Sequence, residues 1–211
     1  MKKSKICIYC ATPIKKSVNS DAGRSVEHMI PQSAVSKKRT NAQGDFHVCR
    51  KCNTEKSKID DLFGLLSRIN LTGESGEEAI AKLARMLSKG DKRIIAMLES
   101  AKQSPQGVEV RLPLKGEDVY KYGVFLTKGE YFKQNGEILD LKRNIVLVKW
   151  GGPNLVKKLL CWYGSTHGKD PYHDLTLNSG VENINKECFI VAEKGASDFI
   201  FLFNRAYVLL T

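Results

Sequence analysis

Hydrophobic positions in the middle of the chain recur every three or four residues, which is the spacing of amphipathic helices. Ile80, Leu83 and Leu87 share one face of a first predicted helix, which Ser75 can cap. Asp91 can cap a second helix, which ends before the break at residues 104–107. We therefore predict two consecutive helices over residues 75–103.

A different pattern follows, because apolar and polar residues alternate in residues 108–150 and 184–211 as they do in strands. Asn135-Gly136 lies between two short apolar runs, and this dipeptide is typical of a β-hairpin turn. The predicted strands are Val108–Leu112, Tyr131–Phe132, Ile138–Leu139, Asn144–Trp150 and Glu187–Val191.

Charge is distributed unevenly over three predicted regions of an α+β chain: residues 1–70, a helical connector over 71–104, and a mixed or β-rich C-terminal domain over 105–211. Residues 1–70 carry 14 Lys or Arg and 6 Asp or Glu, whereas residues 71–211 carry 20 and 17. The net charge of the whole chain is +11, and most of the excess lies in the first region. A concentrated positive charge predicts a polyanionic partner such as nucleic acid. A solvated lysine-rich face is the alternative.

Composition indicates a folded protein, because 42% of the residues are hydrophobic and 27% are charged. Apolar runs stay far below the roughly 20 residues of a membrane span, and the basic start Met1–Lys5 is followed by no signal-peptide core. We therefore expect a cytoplasmic protein that does not bind membranes and whose thiols stay reduced. Its six cysteines then indicate metal ligands or buried thiols.

Two CxxC pairs, Cys7–Cys10 and Cys49–Cys52, are separated by 38 residues. Two intervening residues let both thiolates of a pair bind one ion, and two pairs complete a tetrahedral structural Zn²⁺ site. A redox dithiol is the alternative, but it needs a βαβ context that this segment lacks. Since the first 60 residues have few large apolar side chains, we expect the metal to hold this region together.

The segments between and after these pairs carry a second signal, Val26-Glu-His-Met-Ile-Pro-Gln-Ser33, then Asp45-Phe-His-Val-Cys49, then Cys52-Asn-Thr-Glu-Lys-Ser57. An acidic residue and His before a hydrophobic-x-Pro run, followed by CxxC-Asn-x-x-Lys, resembles the HNH endonucleases of the four-cysteine zinc type. The resemblance covers about residues 7–62. It implies a ββα-metal fold and hydrolysis of phosphodiester bonds, most simply in double-stranded DNA.

The chemistry of these residues agrees with that implication. His28 can serve as the general base, because a neutral imidazole accepts a proton from water near pH 7. Glu27 and Asn53 offer the oxygen ligands that catalytic Mg²⁺ or Mn²⁺ prefers. Neighbouring residues on a regular strand point to opposite faces, so Glu27 and His28 can share a site only if the strand bends or ends there. Asn53 is predicted to begin a helix that runs to Ile69, on which Lys56 can neutralise a phosphate.

Gly44 occupies the position at which the family usually has an Asn that orients the catalytic His. Asp45 is the expected substitute, and Asn41 is the alternative. A zinc-stabilised nucleic-acid-binding protein without catalysis is a second hypothesis, which Gly44 favours. A nuclease for RNA is a third, because the site acts on the phosphate.

Other residues leave alternatives open. Lys37, Lys38 and Arg39 are either a phosphate-contacting arm or a solvated loop, and His47 is either an outer contact of the site or a structural histidine. The spacing of four ligand-type residues, Cys161, His167, His173 and Cys188, matches no compact zinc pattern. Aromatic residues interleaved with lysines around residues 149–172 either stack on bases or border the core. The C-terminal domain is also the candidate surface for self-association or a protein partner.

Overall fold

The computed structural model describes residues 5–17, 20–69, 71–105, 107–168, 181–184, 187–192 and 197–211. Within these residues the chain has an α+β fold of five helices and nine strands. The helices are α1 Arg50–Arg68, α2 Glu74–Ser88, α3 Lys92–Glu99, α4 Gly116–Asn135 and α5 Pro153–His167. The strands are β1 Arg24–Glu27, β2 Phe46–Cys49, β3 Lys102–Ser104, β4 Gly107–Glu109, β5 Lys149–Gly151, β6 Val181–Ile184, β7 Cys188–Val191, β8 Ile200–Phe203 and β9 Tyr207–Leu210.

The first two strands and α1 form a ββα unit. β1 and β2 pair antiparallel, with Arg24 opposite Cys49 and Glu27 opposite Phe46. α1 follows β2 without a loop, and its N-cap is Cys49, whose Sγ accepts a hydrogen bond from the backbone N of Cys52 at 3.5 Å. The predicted helix is therefore confirmed, but it begins at Arg50, three residues before the predicted start at Asn53.

The two helices expected over residues 75–103 are confirmed as α2 and α3. Asp91 caps α3 as predicted, its carboxylate accepting from the backbone N of Arg93 at 3.0 Å. Ser75 does not cap α2, which begins at Glu74 after Gly73 in the left-handed region, with a φ of 74°. The Ser75 hydroxyl instead accepts a hydrogen bond from Nε of Arg68 at 2.9 Å, which ties α1 to α2.

The predicted hairpin at Asn135-Gly136 is wrong. These residues end the long helix α4, and Gly136 is its C-cap with a φ of 74°. A glycine with positive φ suits a helix C-cap as well as a hairpin turn, so the dipeptide does not distinguish them. The strand expected over residues 144–150 is present only as the short strand β5. The helix α5 was not predicted, although Pro153 in its first turn and Gly168 as its C-cap are typical helix boundaries.

The C-terminal strands predicted within residues 184–211 are confirmed. They belong to a five-stranded antiparallel sheet in the order β5-β9-β8-β7-β6. None of the described helices is long and apolar enough to cross a lipid bilayer.

Two apolar clusters join the three predicted regions: the first links α1 to the C-terminal region, and the second links Leu62 and Leu66 on α1 to Ile94 and Met97 on α3. The ring of Phe63 on α1 lies 5.0 Å from that of Tyr122 on α4, 5.0 Å from that of Trp150 on β5 and 4.8 Å from that of Phe203 on β8. The first cluster also includes Cys7, Cys49 and Cys52. The boundaries drawn at residues 70/71 and 104/105 are therefore crossed by continuous apolar packing.

Candidate metal and hydrolytic site

The four cysteines predicted to bind zinc come together. The ligand atoms of Cys7, Cys10, Cys49 and Cys52 all lie within 4.8 Å of one another. The N-terminal pair turns through Ala11, whose φ of 58° lets its N–H donate to the Cys7 carbonyl at 2.8 Å. The C-terminal pair is the junction of β2 and α1. The turn at Cys7–Cys10 and the junction of β2 and α1 thus each bring two thiols to the same place.

The protonation of this cluster fits a soft cation. The hydrogen bond from Cys52 lowers the pKa of Cys7 to about 4, despite burial. Burial raises the pKa of Cys49 to about 11, and the hydrogen bond to Cys7 raises that of Cys52 further. Sulfurs this close cannot all ionise unless a cation offsets their charge. A tetrahedral Zn²⁺ ion would supply that charge, because thiolates are its preferred ligands in structural sites.

His28 directly follows β1 and is half-buried. Its Nδ1 is buried and has no hydrogen-bond partner among the described residues. Burial, followed by the positive charge of Arg39, lowers the pKa of His28 below its usual 6.5, so the ring is neutral near pH 7. The backbone on both sides of the ring is fixed. On the N-terminal side the N–H of Asp45 donates to the Glu27 carbonyl at 2.8 Å. On the C-terminal side Lys56 Nζ donates to the His28 carbonyl at 3.2 Å and the N–H of Met29 donates to Asp45 Oδ2 at 2.8 Å.

Asp45 and not Asn41 contacts the segment that carries His28. Asn41 is exposed, whereas the Asp45 side chain is only 10% exposed and binds the backbone beside the ring. The structure also explains Gly44, because a Cβ at this position would lie 2.2 Å from Cγ1 of Val26. An Asn side chain does not fit here, so the carboxylate next along the chain is the polar group that this turn can supply.

Asn53 lies in the first turn of α1 and faces β1. Its Nδ2 donates to Ser25 Oγ at 2.6 Å and to the Val26 carbonyl at 3.4 Å. Because the amide nitrogen is engaged with β1, the Oδ1 atom is the part of this side chain that can bind a cation. The helix and the strand end that bear Asn53 and His28 are thus held against each other.

Glu27 and Lys56 are placed differently from the sequence-based expectation. The Glu27 side chain is 1% exposed and that of Lys56 is 0% exposed, and they form an ion pair at 2.8 Å. Lys56 is therefore not accessible to a phosphate, which corrects its predicted role. Glu27 turns away from the His28 side of β1 and into the interior, as strand alternation requires. Burial raises its pKa to about 7, although Lys56 opposes the shift.

The basic loop after the 3₁₀ turn Gln32–Ala34 is folded around Gln32. The Gln32 side chain donates to the Lys37 carbonyl at 3.1 Å and accepts from the backbone N of Arg39 at 2.7 Å. Arg39 is half-buried and its guanidinium donates to the Ile30 carbonyl, whereas Lys37 and Lys38 are exposed. The two lysines, more than Arg39, are placed where a phosphate can reach them.

The remaining candidates differ in their burial. His47 is 5% exposed within β2, and Cys188 is completely buried in the sheet. Trp150 stacks on Tyr207 at 4.7 Å in the core, while Trp162 on α5 is 54% exposed. Tyr172 and His173 lie outside the described residues, as does the side chain of His167. Within the described residues, the four N-terminal cysteines are the one group of three or more His, Cys, Asp or Glu side chains close enough to share a metal ion.

Two charged residues of α4, Glu130 and Lys133, were not predicted as part of the site, because the pattern around Asn135-Gly136 predicts a hairpin there. Lys133 Nζ lies 3.5 Å from Asp45 Oδ1 and 3.9 Å from Glu130 Oε2. The i, i+3 spacing of Glu130 and Lys133 is the signal that a predicted helix would have provided.

Comparisons with protein-family models, with curated proteins and with solved structures find no match to this chain.

Proposed function

We propose that the protein is a zinc-stabilised endonuclease of the HNH type, which hydrolyses phosphodiester bonds with the help of a divalent ion. The observation that carries the proposal is the state of His28. Its pKa is lowered, and its buried Nδ1 has no hydrogen-bond partner in the part of the chain that the structure describes. A neutral ring that is only half-buried, on a segment whose backbone is anchored on both sides, is suited to general-base catalysis.

In this mechanism His28 removes a proton from the attacking water. Asp45 positions the ring through the backbone of Met29, and Asn53 offers an oxygen to the divalent ion. A bound Mg²⁺ or Mn²⁺ supplies charge neutralisation at the phosphate. Glu27 joins this ligand set only if its carboxylate leaves the ion pair with Lys56, so Asn53 is the stronger candidate ligand.

The substrate we propose is double-stranded DNA. The net charge of +11 favours a polyanion, and the exposed Lys37 and Lys38 lie on the loop that follows the His28 segment. RNA presents the same phosphodiester chemistry and is the alternative substrate. Binding without catalysis is the alternative function, since Gly44 leaves the turn without the family's orienting Asn.

The test compares wild type, His28→Ala and Glu55→Ala, all purified identically, on supercoiled plasmid with Mg²⁺ or Mn²⁺. Glu55 is exposed on α1, and its variant controls for the effect of a substitution as such, whereas activity left in His28→Ala reveals a contaminating nuclease. We expect wild type and Glu55→Ala to nick the plasmid and His28→Ala to be inactive. Equal cleavage by all three would refute the assignment. Binding of a DNA duplex in EDTA, with no cleavage under either ion, would support the non-catalytic alternative.

A further inference from the structure

Lys133 connects the C-terminal half of the chain to the candidate hydrolytic site. Its Nζ lies among three carboxylates, 3.5 Å from Asp45 Oδ1, 3.9 Å from Glu130 Oε2, and in an ion pair with Glu182 on β6. The lysine side chain is 22% exposed and the Glu130 side chain 2%. One ammonium group thus lies close to carboxylates from the loop before β2, from α4 and from the edge strand of the five-stranded sheet.

Asp45 transmits this contact to the segment that carries His28. While Oδ1 faces Lys133, Oδ2 accepts the N–H of Met29 at 2.8 Å. Both carboxylate oxygens therefore have defined partners. Movement of Asp45 releases the backbone on the C-terminal side of His28, although the Lys56 bonds to the carbonyls of His28 and Met29 remain.

The packing of α4 leaves little room for a rearrangement. A Cβ on Gly129 would lie 2.4 Å from Sδ of Met29 and 3.0 Å from Cζ of Phe46. The helix backbone therefore touches Met29 directly, one residue before Glu130. α4 holds the His28–Met29 segment both by this contact and by the Lys133–Asp45 ion pair.

Electrostatics require the ammonium group. Without it, Asp45 and the buried Glu130 would face each other and Glu182 as uncompensated acids. Such a carboxylate moves towards solvent, and this movement weakens the hold of Asp45 on the Met29 N–H.

We infer that Lys133 is a positioning residue, which orients His28 by fixing Asp45 against the Met29 backbone. This inference rests on the proposed function for its catalytic consequence. The C-terminal half thereby acquires a role in the reaction, because β6 and α4 supply the charges that hold the turn.

The test uses Lys133→Met, Lys133→Arg and, as a matched control, Lys121→Met, which removes an exposed lysine from the same helix. Hydrogen exchange at the Met29 amide reports the anchor, and plasmid nicking with Mn²⁺ reports the reaction. We expect Lys133→Met to speed Met29 exchange by about tenfold or more. We expect kcat to fall by about 10²-fold while KM stays within about twofold. Lys133→Arg should restore most of the slow Met29 exchange and most of the kcat, and Lys121→Met should match wild type in both.

The outcomes separate this inference from the proposed function. Unchanged Met29 exchange in Lys133→Met overturns the inference whether or not the protein cleaves DNA, as does faster exchange with unchanged kcat in an active enzyme. Faster exchange in a protein that never cleaves supports the anchor and refutes the nuclease. If Lys133→Met does not fold, Lys133→Gln replaces it, because glutamine keeps a hydrogen-bond donor near Asp45 without the charge.

Discussion

Nζ of Lys56 lies 2.8 Å from Oε1 of Glu27, and neither side chain reaches the surface. The same ammonium group contacts both oxygens of Asp60, at 2.8 and 2.9 Å, and lies 5.4 Å from the ring centre of Tyr122. A single lysine therefore holds β1, α1 and α4 together at the point where the chain leaves β1 for His28. Burying charge is costly, so this arrangement is stable only while all its partners are present.

Removing the lysine should therefore destabilise the fold. We expect Lys56→Met to lower the free energy of unfolding by about 3–5 kcal/mol, because two carboxylates lose their buried partner. Lys58→Met, an exposed change on the same helix, should alter it by less than about 0.5 kcal/mol. Urea denaturation at neutral pH measures both. Equal stability of the two variants would contradict the structural role of Lys56.

The pH dependence of stability should reveal the ionisation of the Glu27 carboxyl group. Burial raises its pKa from 4.5 to about 7, so the fold prefers the protonated acid. Its contribution to stability is complete below pH 4.5 and is lost as the pH rises through about 7. As the pH rises from about 5.5 to 8, wild type should lose free energy of unfolding on the order of 2 kcal/mol relative to Glu27→Gln, which cannot ionise at this position. Urea titrations at both pH values measure this difference, and a pH-independent difference would show that Glu27 is ionised throughout.

The zinc content of the purified protein should depend on the four clustered cysteines. We expect purified wild type to hold about one zinc ion per chain and Cys52→Ser to hold little or none. The variant should also melt earlier, since binding of a structural zinc ion contributes to folding. Cys161→Ser, which changes an exposed cysteine outside the cluster, should keep the metal and the melting temperature. Elemental analysis together with thermal melts in the presence of a chelator checks both points.

The contact between α4 and Met29 predicts a glycine requirement. Gly129→Ala should cost about 1–3 kcal/mol of folding free energy, because its Cβ would overlap Sδ of Met29. Gly116→Ala, at the first residue of the same helix, meets no atom within 4 Å and should be neutral or mildly stabilising. Denaturation midpoints compare the two substitutions directly. A neutral Gly129→Ala would mean that α4 does not press on the His28–Met29 segment.

Nucleic-acid binding should depend on Lys37 and Lys38. Each phosphate contact steepens the fall of log K with log salt by about 0.9 on duplex DNA. We therefore expect the double Ala variant to reduce the slope by about 2 and to weaken binding evenly across sequences. Substituting Lys157 and Lys158, exposed on α5, removes the same charge and serves as the control. Equal effects of the two pairs would indicate non-specific attraction only.

Local signals explain what the sequence predicted well. The spacing within each CxxC pair and the helix that follows the second pair depend on neighbouring residues, and both are present in the structure. The burial of Glu27 and Lys56 could not be inferred from their motif, because it depends on which face of β1 meets α1 and α4. Lys133 was missed for a related reason, since Asn135-Gly136 fits two backbone conformations and only tertiary packing selects the helix.

The side chain of Asn204 has a consequence for how the protein matures. Its Nδ2 donates to the Ala34 carbonyl at 2.7 Å and to Ser67 Oγ at 2.8 Å, so the turn between β8 and β9 secures the segment that leads into the basic loop. A ribosome makes that turn roughly 170 residues after Ala34, as the numbering requires. The segment that leads into the basic loop therefore gains this anchor only after residue 204 has been translated.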